Sequence, residues 1–324
     1  MKIQWRILIM IGLTLILAYV IVANLGEERK LVLIIRQVQL RWVLLALIFQ
    51  FIYYWLYSLM WKKSLQQYSI HWRVKEILLL TFGSLFINLT APTAGLAGAG
   101  VFIKHARTKN ERALAAMGAY YLGILMEFLG IGLFLAGALV ILWLKHRLYW
   151  YELLCSGIFF LVTGGLILFV SSSGKWRQIL LKIMAWWRKI RKRKVKSQLM
   201  EAKMEFKKDP KKLWELFGIG ILMQSMSLTA LFFVFLALGQ TVVLPTVFVG
   251  YSLIVLFLIV SPTPQGIGVV EGLVPVILSS FGVGIETGLL AILIFRAINL
   301  WLPLLAGFVS LNYLAIGVKS QLKE

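Results

Sequence analysis

Charge is scarce in this chain, and acidic charge scarcest. Of 324 residues only 13 are Asp or Glu and 15% are charged, against 60% hydrophobic. Soluble domains carry nearer ~25% charged residues, so a soluble fold is excluded and a polytopic membrane protein expected. Cysteine is almost absent: Cys155 stands alone, which excludes an internal disulfide and any cysteine-based metal site. The three histidines, His71, His105 and His146, lie near Lys or Arg at the ends of apolar runs, and no pair has metal-ligand spacing. No phosphate-binding glycine loop, nucleophile elbow or zinc-protease helix occurs. No metal or cofactor is expected.

Basic residues are plentiful: 34 Lys and Arg give a net charge of +21. They cluster at the ends of apolar runs, as membrane orientation requires, so nucleic-acid binding is not expected. Fifteen of them fall in 175–212, where Trp176, Ile179, Leu180, Ile183, Trp186, Trp187 and Ile190 recur at three- and four-residue steps. That pattern predicts a basic amphipathic helix on an anionic leaflet, with a solvated linker as the alternative.

Seven apolar runs are expected to span: 7–23, 43–61, 113–144, 153–170, 217–238, 242–260 and 289–313. Lys2 and Arg6 before the first place the N-terminus in the cytoplasm of a cell-membrane protein. Trp42, Tyr53, Tyr54, Trp55 and Tyr57 lie along the second run; aromatic residues at its ends read as membrane-interface anchors, with a ligand cage as the alternative. One integral membrane domain results: a first half (1–174), the linker (175–212) and a second half (213–324).

Two segments break the helical pattern. The first, 77–103, is too short at its apolar start to span and then runs through Asn88-Leu89-Thr90-Ala91-Pro92 to Gly98 and Gly100. Lys104, Arg107, Lys109 and Arg112 follow, so charge bias favours a re-entrant hairpin on the cytoplasmic side. The second, 262–285, opens on Pro262-Thr263-Pro264-Gln265-Gly266-Ile267-Gly268-Val269-Val270-Glu271-Gly272. It is read as re-entrant, with a full crossing as the alternative. In lipid, backbone that cannot stay helical survives only where protein or a water-filled cavity lines it. An acid at membrane depth adds roughly 2.5–3.5 kcal/mol on insertion scales and usually has a partner or a job.

Broken segments at matching positions of two halves suggest an internal repeat and point to a transporter's midplane site. Counting crossings makes the halves parallel repeats; one miscounted span makes them inverted. The alternative is that small residues merely allow close helix packing, although packing requires neither Asn88 nor Glu271. Glu271 is expected to pair with Arg296, with Glu127 as the other candidate partner. Asn88 either hydrogen-bonds a headgroup or caps a half-helix. The candidate substrate-binding set is Asn88, Pro92, Gly98, Glu127, Pro262, Pro264, Gly266, Gly268, Glu271, Arg296 and Asn299. No catalytic residue is assigned.

At these residues the chain resembles the flippase-like family of integral membrane proteins related to the transmembrane region of lysylphosphatidylglycerol synthase. The match is strongest over Pro262–Gly272, then Phe281-Gly282-Val283, then the Arg296-bearing helix. It is similar to the family's Pro-x-Pro-Gly-Gly-x-Gly-x-x-Glu segment, its Leu-Gly-Val step and the helix that follows. Gln265 stands where a glycine is usual. In the first half, Ala99 and Phe102 lie near positions where many members carry an acid and an arginine, and Tyr120-Tyr121 replace an acid–arginine pair. The resemblance implies movement of a polar-headed phospholipid or glycolipid between leaflets, with the broken segments forming a headgroup groove.

The expected function is therefore lipid translocation and not enzymatic. One alternative is a non-catalytic assembly subunit for a separately encoded lipid-modifying enzyme. The other is an intramembrane headgroup transferase, disfavoured because no His, Cys or aspartate pair sits at membrane depth. Expected partners are membrane lipids, anionic ones at 175–212, and either a second copy of the chain or such an enzyme.

Overall fold

Helix is the only regular structure among the described residues, which are 38–90, 98–171, 209–261 and 263–321 of the computed structural model. In a chain this apolar, helices pair backbone groups within each segment, which lipid demands. In order they are α1 (Leu40–Gln66), α2 (Val74–Thr90), α3 (Ala99–Thr108), α4 (Ala113–Leu144) and α5 (Trp150–Ser171). There follow α6 (Pro210–Ala237), α7 (Leu244–Val260), α8 (Val269–Ser279), α9 (Ile285–Arg296) and α10 (Leu302–Gln321). A single π-helical turn, Ala297–Trp301, joins α9 to α10.

Among the described residues five helical stretches are long and apolar enough to cross a membrane: Leu40–Gln66, Ala113–Leu144, Trp150–Leu168, Pro210–Ala237 and Ile285–Tyr313. They match five of the expected spans, and the fold is that of an all-α multi-pass membrane protein. The expected first span and basic amphipathic helix fall on 7–23 and 175–212, outside the described residues but for 209–212. These four open α6, where Pro210 follows Asp209, whose carboxylate accepts from the Lys211 N–H at 3.1 Å.

Helix ends define two faces. At one, Lys63 of α1 pairs with Glu215 of α6, and Glu76 of α2 with Lys109 beyond α3. At the other, the Gln39 N–H before α1 donates to the Ala237 carbonyl ending α6 at 2.9 Å. There Lys145 and Arg147, after α4, share a cavity of about 560 Å³ with Val243, Pro245, Ser279 and Phe281. The α1–α6 pair is the most extensive contact and α4 packs across it. At the α4–α6 crossing a methyl group on Gly220 would lie 2.7 Å from the Met126 carbonyl oxygen, so there glycine does serve close packing.

Two hairpins complete the bundle. Glu76 near the start of α2 and Lys109 after α3 are 2.7 Å apart, so the open ends of this pair lie together at the Lys63 face. α7 and α8 form the second hairpin, whose open ends (Val243–Thr246 and Ser279–Gly282) meet at the Lys145 face. The expected span at 242–260 is the first arm of this hairpin. α7 has 17 residues, about 25 Å at 1.5 Å each, and it ends at the break instead of the far face. The open ends of the two hairpins therefore lie at opposite faces of the bundle, and the second hairpin extends back through α7.

Candidate functional site

Where the hairpin tips meet, the second is built from three left-handed backbone positions in four residues. Gln265 (φ 54°), Gly266 (φ 63°) and Gly268 (φ 89°) turn the chain from α7 to α8 through the short 3₁₀ turn Pro264–Gly266. Gly266 also lies against α7: a methyl group there would be 3.0 Å from the Phe257 carbonyl oxygen. A bulky side chain in this conformation costs about 1–2 kcal/mol, so Gln265 holds a strained position that a glycine would relieve.

The break starts α8, whose first amides have no intrahelical acceptor. Glu271 at the third helical position reaches back, its Oε2 accepting from the Gly268 N–H at 2.9 Å. Its other oxygen, Oε1, lies 2.8 Å from Arg296 Nε, with the two side chains 2% and 4% exposed. Arg296 Nη2 donates to the Gln265 carbonyl at 2.9 Å. The guanidinium thus clamps both sides of the turn, its carboxylate and its strained peptide. Its Nη1 is buried with no hydrogen-bond partner. The expected Glu271–Arg296 pair is present.

Proline frees two further carbonyls. Pro275 lacks the N–H that would close the helical bond to Glu271, and Pro303 lacks the one for Asn299. Asn299 sits in the π-helical turn one helical turn beyond Arg296. Tyr54 of α1 donates to its carbonyl at 2.9 Å and lies 3.4 Å from its side-chain oxygen.

The first hairpin closes with neutral groups. Asn88 Oδ1 accepts from the Gly98 N–H at 2.6 Å, at the start of α3, and its Nδ2 donates to the Tyr120 hydroxyl at 2.9 Å. Of the two readings of Asn88, the cap is the one its bonds fulfil. A methyl group on Gly98 would come within 2.9 Å of the Asn88 amide, so glycine is needed there for space. Gln265 Nε2 donates to the Asn88 carbonyl at 3.4 Å, joining the tips. Pro92 and Pro262 lie outside the described residues, and Pro264 opens the 3₁₀ turn.

Glu127, midway along α4, is not Arg296's partner. Its Oε2 accepts from the Tyr57 hydroxyl at 3.1 Å, and Tyr53 supplies a second hydroxyl bond. Tyr54 and Tyr57 are buried and so do not act as interfacial anchors, whereas Trp55 is 59% exposed. Sequence reasoning thus missed Tyr54, Tyr57, Tyr120 and Gln265 as site residues. Tyr54, Tyr57, Ser58 and Trp61 recur at three- and four-residue steps on α1, and all four are buried. Trp61 stacks on Tyr120 with centroids 4.6 Å apart. That periodicity was the signal available.

Among the described residues no cluster of His, Cys, Asp or Glu could hold a metal ion. No curated protein matches the chain. A family model does: over residues 6–307 the sequence fits that described as the lysylphosphatidylglycerol synthase TM region. The chain, with its two helical hairpins and the buried ion pair at the second, belongs to that family of membrane proteins.

Proposed function

We propose that this protein moves a polar-headed lipid between leaflets of the cell membrane, and that it is a translocator and not an enzyme. The observation that carries this reading is the meeting of two opposed hairpin tips around a buried, charged turn. Each hairpin, read as re-entrant, brings polar backbone to mid-depth from one face. Together they offer a headgroup a stepwise polar route through the hydrocarbon.

The ion pair is suited to a passing zwitterion or anion. Arg296 Nη1 has no partner at rest, so a phosphate oxygen can bind before the Glu271 bond opens. The arginine is then never left uncompensated, which matters because removing one partner of a buried pair costs about 3–5 kcal/mol. Glu271 in turn can receive the ammonium of an amine-bearing headgroup. In this reading the N-terminus is cytoplasmic, and 175–212 lies on anionic lipid as a basic surface.

The test is leaflet accessibility of labelled lipids in proteoliposomes, with several headgroups including anionic and aminoacylated ones. Protein-dependent movement should be lost in Glu271→Gln and Arg296→Gln while both remain folded in detergent. Movement at the wild-type rate in both variants would remove the pair from the mechanism. No movement by the folded wild-type protein with any headgroup would instead favour the assembly-subunit reading.

A further inference from the structure

Glu127 is left over from the headgroup site: an acid in a long apolar helix with no cation. Its hydrogen bonds come from Tyr57 and Tyr53, both on α1. The other ionisable groups within electrostatic range are Tyr120 on its own helix and Tyr251 on α7. From α3, α5 and α6, the remaining helices packed on α4, no charged group among the described residues interacts with it. A carboxylate at such depth ordinarily faces a cation, a metal or water, or carries protons. Two tyrosines could serve a glutamine equally well as an acceptor, so a purely structural role does not call for an ionisable group.

We propose that Glu127 is a proton-binding site whose loading couples lipid movement to a proton gradient. The proposal rests on the translocator reading for the coupling, but not for the proton site. Three features of the geometry support it. The residue is only half-buried, so the packed helices do not seal it off. When ionised it only accepts hydroxyl bonds, whereas a protonated carboxyl also donates one, so loading changes the hydrogen bonding around it. And the tyrosines lie on the helix that also reaches the ion-pair region, for Tyr54, adjacent to Tyr53, holds the Asn299 carbonyl just beyond Arg296.

A second polar path runs the same way. Tyr251 donates to Gln224 on α6 at 2.6 Å, and Ser227 on α6 donates to Gln50 on α1 at 3.3 Å, one helical turn before Tyr54. Protonation at Glu127 and closure at the ion pair are thus linked through α1. The proton binds to the carboxylate from one aqueous face and leaves to the other. No further reactant is needed.

Two measurements decide it. Infrared titration of the purified protein should show a carboxylic C=O band that appears with acidification and is lost in Glu127→Gln. Tyr57→Phe should shift the midpoint of that band, and it reads the same site even if Glu127→Gln fails to fold. The absence of any titrating band sensitive to either variant overturns the proton site, whatever the protein transports. In vesicles of phosphatidylcholine and phosphatidylglycerol, movement of acyl-labelled phosphatidylglycerol is then timed with and without a pH gradient. The ratio of the two rates should exceed one in the wild type and fall to one in Glu127→Gln. A wild-type ratio of one, with movement present, overturns the coupling alone. No movement under either condition overturns the translocator reading and the coupling together, and leaves the infrared result standing.

Discussion

The two hairpins solve one physical problem with different chemistry. Each must interrupt a helix inside a bundle and satisfy the backbone groups that the interruption frees. The first uses neutral groups: one asparagine caps the start of α3 and is itself held by a buried tyrosine. The second uses a carboxylate as the cap and then needs an arginine to compensate it. A neutral closure has nothing to exchange with a charged ligand. A charged closure does, so in the translocation we propose the binding step belongs to the second tip and a scaffolding role to the first.

Breaking the charged closure should cost most. Arg296→Ala leaves Glu271 buried without its counter-ion, and a loss of about 3–5 kcal/mol is expected in detergent unfolding. Adding Glu271→Gln to that variant should recover part of the loss, because the neutral amide still accepts from the Gly268 N–H. No recovery would mean that the clamp on the Gln265 carbonyl, and not the charge pair, holds the turn. Breaking the neutral closure should cost less. Asn88→Ala leaves the Gly98 N–H without its acceptor, worth about 1–3 kcal/mol, and lipid movement should persist at temperatures where the variant is folded. A variant that is folded but inactive would put Asn88 back among the headgroup contacts.

The Gln265 position sharpens the comparison by giving a gain. Gln265→Gly relieves a left-handed side-chain conformation and keeps the carbonyl that Arg296 grips, so it should stabilise by about 1 kcal/mol. It also removes the amide that touches Asn88. Thermal unfolding reads the first effect. A loss of stability would show that the contact between the tips outweighs the strain.

Apolar run length and charge bias located the long helices and the first hairpin, because membrane thickness and the cost of burying charge act on sequence directly. The Glu271–Arg296 pair was legible for the same reason: few charges occur at that depth, so few pairings exist. The direction of the second hairpin was not. From residue 213 onward only Arg296, Lys319 and Lys323 are basic outside an apolar run's immediate start, which leaves charge bias little to act on, and a 17-residue apolar run looks alike whether it crosses or stops. The tyrosines failed for another reason. A hydroxyl on an aromatic ring suits both an interface and a buried acceptor, and only packing of α1 against α4 and α9–α10 decides between them.

The smallest effect is expected at the open end of the first hairpin, where Glu76 meets Lys109 at 2.7 Å and His105 at 3.8 Å. Burial acts to raise the Glu76 carboxyl, but the hydrogen-bonded Lys109 ammonium beside it prevails and holds it below its ordinary value. His105 is lowered, first by burial and then by Lys109, against the pull of Glu76. Both groups therefore bind fewer protons folded than unfolded, so stability falls with acidification. The His105 contribution is full above its ordinary value near 6.5 and is lost as pH falls through its lower folded value. That of Glu76 is full above about 4.5 and is lost in the same sense at more acid pH. Both Glu76 and Lys109 keep solvent contact, with side chains 28% and 35% exposed, so the pair is worth at most about 0.5–1 kcal/mol. Lys109→Met should flatten the acid limb of a pH–unfolding curve by that small amount and leave the ion pair at the other tip untouched. An acid limb unchanged in Lys109→Met would mean that the hairpin is held shut by its apolar packing alone.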